Sequence, residues 1–145
     1  MPRFKSRPSA MFVVGLACLA AGCGGASRPI TPENPIEGIV LEQVAEAYRS
    51  YCLFQGGPPS QLADLEKLKK ANPAGIDALK KGDITLFWGA KLPDTGEEPG
   101  SVAAPEILAY QKQVPEQGGY VLQLDRRIRK VTAEEFKAAP KAGKG

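Results

Sequence analysis

The chain contains no histidine. That absence removes Ser-His and Cys-His nucleophile pairs, imidazole general bases and histidine metal sites in one step. Cysteine is almost as scarce, with Cys18, Cys23 and Cys52 the only three. The strongest apolar stretch, residues 10–22, holds thirteen residues, where a membrane-spanning helix needs ~20. A large charge excess is missing too. The chain has 19 basic and 16 acidic residues, and Arg3, Lys5 and Arg7 account for the whole difference. Beyond them the balance is even, so composition gives no basis for nucleic-acid binding.

What is present begins with that apolar stretch. The three basic residues precede it, and small residues follow in Ala20-Ala21-Gly22-Cys23. A basic segment, a short apolar core and a small-residue end make a secretory signal. The end resembles the bacterial lipobox. The resemblance implies acylation of Cys23, cleavage before it and anchoring to a lipid bilayer through two or three acyl chains, palmitate among them. Such anchoring is stable, where a single chain is marginal. Ala20 departs from the leucine most usual there. The expected location is therefore outside the cytoplasm, facing the periplasm or the cell exterior. Gly24 stands where an aspartate retains some lipoproteins at the inner membrane, which favours the outer membrane. Once residues 1–22 are removed and Cys23 is acylated, Cys52 is left alone. It can form no internal disulfide, and no cysteine-rich zinc site is available.

Residues 23–33 are rich in Gly, Pro and Ser and read as a flexible tether. A single domain is expected over residues 34–139, and a frayed tail over 140–145. Asn34, Pro35 and Glu37 form a helix-start signature. Ile36, Val40, Val44, Ala47 and Tyr51 recur at intervals of three and four, which predicts an amphipathic helix of about five turns. Gly56-Gly57-Pro58-Pro59 ends it. Ser60 is placed to cap a second helix running to about Lys70, and Asn72-Pro73 opens a third that ends at Gly82. The lysines at 67, 69, 70, 80 and 81 read as solvated helix faces, with a phosphate or headgroup patch as the alternative. From Asp83 the periodicity becomes that of strands: 83–88, 106–111, 120–124 and 128–131. Thr132 caps a last short helix. Helices followed by an antiparallel sheet make the fold class α+β: a long N-terminal amphipathic helix and short helices packed on a small antiparallel sheet.

Tyr48, Tyr51 and Pro58-Pro59-Ser60-Gln61-Leu62-Ala63-Asp64-Leu65, following a long helix, resemble the globular part of type II secretion pseudopilins. The second half is similar to a class of exported bacterial proteins through Leu108-Ala109-Tyr110, Gly118-Gly119-Tyr120-Val121-Leu122, Asp125 and Thr132-Ala133-Glu134-Glu135-Phe136. The resemblance implies a pseudopilin-like fold. A lipobox and tether replace the prepilin-peptidase site of that family. Arg126 stands in place of a turn glycine. A type I′ turn at Asp125-Arg126 requires positive φ at both residues, which predicts that Arg126→Gly stabilises the domain.

Two loop features are candidate sites. Asp94, Glu97 and Glu98 flank Gly96 in the long loop 89–104, where oxygen ligands can hold Ca²⁺. Some domains that this one resembles use such a loop that way. The alternative is a solvated acidic loop. Trp88 and Phe87 fall on opposite faces of a strand, so Trp88 is a candidate partner contact, with core packing as the other reading. The primary functional expectation is a non-enzymatic envelope lipoprotein that binds another envelope protein or serves a structural role. A ligand- or Ca²⁺-binding accessory module comes second. An enzyme using two carboxylates comes last, since paired loop carboxylates without a pocket are a weak signal.

Overall fold

A computed structural model describes residues 35–143. The signal 1–22, Cys23, the tether and the Asn34 cap lie outside the described residues, as does the side chain of Glu37.

Helix α1 spans Pro35–Gln55. Leu41, Val44, Ala47 and Tyr48 are fully buried along one face, as their spacing demands. Gly56, at φ 71°, ends the helix and donates its N–H to Cys52 O. Helix α2 is shorter than expected, Leu62–Glu66, with Gln61 rather than Ser60 at the N-cap. The Asp64 carboxylate explains that start. It accepts from the Ser60 N–H at 2.8 Å, the Ser60 hydroxyl at 3.0 Å and the Gln61 N–H at 3.2 Å. Those bonds, the Ser60 N–H foremost, hold the Asp64 carboxyl below the usual carboxylate range. Helix α3, Pro73–Lys81, closes on Gly82 in the left-handed conformation, the usual glycine stop.

The sheet contains four strands, β1 (Ile84–Leu86), β2 (Ile107–Gln111), β3 (Gly119–Gln123) and β4 (Ile128–Val131), all antiparallel in the order β1-β2-β3-β4. Between β2 and β3 lies α4 (Val114–Gln117), a single helical turn. Helix α5, Ala133–Ala138, follows β4. Thr132 caps it as predicted: its hydroxyl accepts from the Glu135 N–H, and the Glu135 carboxylate accepts from the Thr132 N–H.

One face of the sheet packs against α1 and α3 through Ile84, Leu86, Ala109, Tyr120 and Leu122. The other carries a smaller core of Ile107, Val114, Val121, Val131 and Phe136. A register shift between Ile107 and Ala109 lets β2 serve both. The irregularity turns Ile107 to the small core while Leu108 and Ala109 join the main one, as an extra strand residue does.

Three expectations are corrected. Strand β1 stops at Leu86, so Phe87 and Trp88 lie beyond it, and both are half-buried. The tail is not frayed from Pro140. Pro140 O accepts the Ile107 N–H, the Ala142 N–H donates to Ile107 O at 2.8 Å, and Ala142 is buried. The β3–β4 turn is not a two-residue type I′ turn. Gln123 N–H bonds Arg127 O across a three-residue loop, and Arg126 alone has positive φ, 69°. A three-residue hairpin loop ends in one left-handed residue, so Asp125 is spared the strained conformation.

Candidate functional site

The antiparallel order gives the domain two poles. At one stand the start of α1, the end of α3, the start of β1 and the end of β2. At the other stand the end of α1, the loop 89–104 and the β3–β4 turn. The expected site residues Trp88, Asp94, Glu97 and Glu98 belong to this second, far pole.

The loop there is strapped to the fold by long polar side chains. Its start is anchored by Ala90 and Leu92, both buried in the main core. The Tyr48 hydroxyl, on α1, donates to Ala90 O at 2.6 Å. Burial, with the nearby Cys52 thiol, pushes the phenol well above its ordinary pKa. Arg49 Nε donates to Thr95 O and Gly96 O, both at 2.9 Å. Arg126 Nη2 reaches Asp94 Oδ1 at 3.2 Å and Glu98 O at 3.0 Å. Arg127 Nη2 reaches Gly100 O at 3.1 Å, and the Gly100 N–H donates to Asp125 O at 2.8 Å. Three arginines thus occupy loop carbonyls that would otherwise need water or secondary structure.

Arg126 is the centre of this arrangement. Its side chain is 4% exposed and that of Asp94 19%. Desolvation pushes the Asp94 carboxyl up. The Gly96 N–H and the Arg126 guanidinium outweigh it and hold the group below the usual carboxylate range. Arg126 Nε and Asp94 Oδ2 are buried without a hydrogen-bond partner. Asp94 therefore already faces a cation supplied by its own chain. Glu97 and Glu98 are exposed, and Glu98 engages Arg126 through its backbone carbonyl. Among the described residues no group of three Cys, Asp or Glu side chains could hold a metal ion.

No family model, curated protein or solved structure matches this chain.

Trp88 packs half-buried against the main core. The exposed aromatic at this pole is Phe54, 78% exposed, with Leu53 beside it at 51%. Leu53 lies one helical turn beyond Arg49, on the side of α1 that holds the loop. Their sequence signal is positional: Leu53 falls outside the apolar stripe of α1, and Phe54 extends that stripe into the last turn, past the buried core. Cys52, next to them, is half-buried, and burial pushes its thiol up to about 11. It is a packed thiol rather than a nucleophile.

The opposite pole has an open groove of about 570 Å³ between α1, α3 and the sheet. Ile36, Val40, Ala78 and Ile84 are its apolar lining, and Asp83, Lys112 and Glu116 its charged lining.

Proposed function

We propose that the chain is an exported lipoprotein, acylated on Cys23, whose α+β domain is a non-catalytic module that binds another envelope protein through its far pole. The observation that carries this reading is the exposure of Leu53 and Phe54 beside a strapped loop. Adjacent exposed apolar side chains cost solubility, and a rigid aromatic is the commonest anchor of a protein interface. Glu97 and Glu98 are exposed on the loop at the same pole. The shifted carboxyls all have structural work: Asp64 starts α2, Asp77 pairs with Lys69 at 2.6 Å, and Asp94 faces Arg126. That supports a module without acid–base chemistry.

The test is a photo-crosslinking residue placed at Phe54 in intact cells, with a second at Lys137 on α5 as control. One envelope protein captured from position 54 and not from 137 is the expected result. Equal or no capture from both positions, at verified expression, removes the far pole as an interface. Intact mass of the membrane-extracted protein tests the lipid, which Cys23→Ser is expected to abolish.

A further inference from the structure

The pole that the tether enters is itself apolar. Ile36 is 71% exposed and Ile39 48% exposed, on the first two turns of α1. Ile36 also lines the groove, together with Val40, Ala78 and Ile84. Among the described residues, nothing buries these two isoleucines. Lys81, in the last turn of α3, and Lys112, just after β2, are exposed at the same pole. The neighbouring Lys80 is held by Glu66 at 3.1 Å. Asp83 and Glu116 are the carboxylates beside the groove.

We infer that this pole docks on the lipid bilayer surface, with Ile36 and Ile39 at the acyl boundary and Lys81 and Lys112 at headgroup phosphates. The inference rests on the lipoprotein reading for the nearness of a membrane. Cys23 precedes Pro35 by twelve residues, which span at most about 40 Å fully extended. The chain leaves the domain at Ile36 itself, so an anchored Cys23 holds this pole within that distance of the bilayer. Interfacial residues bury apolar side chains to the acyl boundary and leave lysines at the phosphates. The start of α1 points the positive end of the helix dipole in the same direction. Acyl chains and domain surface together make a two-part attachment, which orients the domain instead of letting it swing. The far pole then faces away from the membrane.

Hydrogen exchange on the full mature chain tests the orientation. The protein is bound to mixed phosphatidylethanolamine–phosphatidylglycerol vesicles and compared with Cys23→Ser protein free in solution. Residues 36–41 and 80–84 are expected to exchange at least about tenfold more slowly on vesicles, with residues 52–56 unchanged. An Ile36→Asp, Ile39→Asp variant that keeps its thermal melt is expected to lose the difference. Unchanged exchange at 36–41, in protein whose mass carries the lipid, overturns docking and leaves the anchor standing. If the mass shows no lipid, the anchor reading fails instead. Docking is then judged on the same peptides with unlipidated chain added to vesicles, protection upholding it and its absence overturning it. Protection in native membranes but not on pure lipid assigns the face to a protein and overturns the proposal.

Discussion

The Gly75 N–H donates to Gln43 Oε1 at 3.1 Å, and at that point α3 touches the backbone of α1. A Cβ on Gly75 would stand 2.9 Å from Gln43 Cβ and 2.9 Å from Val44 N. The second contact is main chain and cannot turn aside. Gly75→Ala is therefore expected to force the helices apart and cost about 1–3 kcal/mol, the usual range for overpacking. A denaturant melt with an unchanged slope and a lower midpoint is the expected record. Gln43→Ala loses one partly buried bond and should cost about 1 kcal/mol.

Arg126→Gly sets two effects against each other. Glycine relieves the positive φ, worth about 1 kcal/mol. It also removes the buried guanidinium that holds Asp94 and Glu98 O, and breaking one side of a buried pair is the larger loss. The expected result is a lower melting temperature, by several degrees, opposite to the sign the turn alone implies. Arg126→Gly with Asp94→Asn should recover part of it. A rise in melting temperature for the single variant would restore the simple turn account.

Asp64, Asp77 and Asp94 are all depressed in the folded chain. An unfolded aspartate titrates near 3.9. The stability these groups add is complete above that value and is lost as pH falls through their lower folded values. Melting temperature should hold from neutral pH to about pH 5 and drop below about pH 4. Asp64→Asn should flatten the acid limb, since it removes the group whose N–H bonds are strongest. A pH series of thermal melts reads both slopes.

Cys52 should resist alkylation. A thiol raised to about 11 is roughly a hundredfold less ionised at pH 8 than a free one. Iodoacetamide labelling, mapped to the Cys52 peptide, should be slow in native protein and fast in denaturant. Equal rates would show that the end of α1 opens freely.

The parts that local pattern writes were legible in the sequence. The stripe of α1, the glycine stop after α3, the Thr132–Glu135 cap and the β3–β4 hairpin each depend on residues within one or two turns of one another. The candidate site was not, because its bonds run over long separations. Nothing near Arg49 indicates that it will cap Thr95 and Gly96, and nothing near Arg126 indicates that it will meet Asp94. Composition marked 89–104 as a loose loop, and three distant guanidinium groups made it a fixed one. Helix α4, Val114–Gln117, was not legible either. A single helical turn carries too few residues to show a period. Ala142 was missed for a related reason: a tail of Lys, Ala and Gly has no strand pattern, and its pairing depends on Ile107, far upstream.

That last pairing bears on what completes the sheet. Ile107 receives its neighbours on the side away from β3 from Pro140 and Ala142, so that end of β2 stays unpaired until residues 140–142 dock. A segment with no strand pattern of its own thus fastens a strand that both cores share.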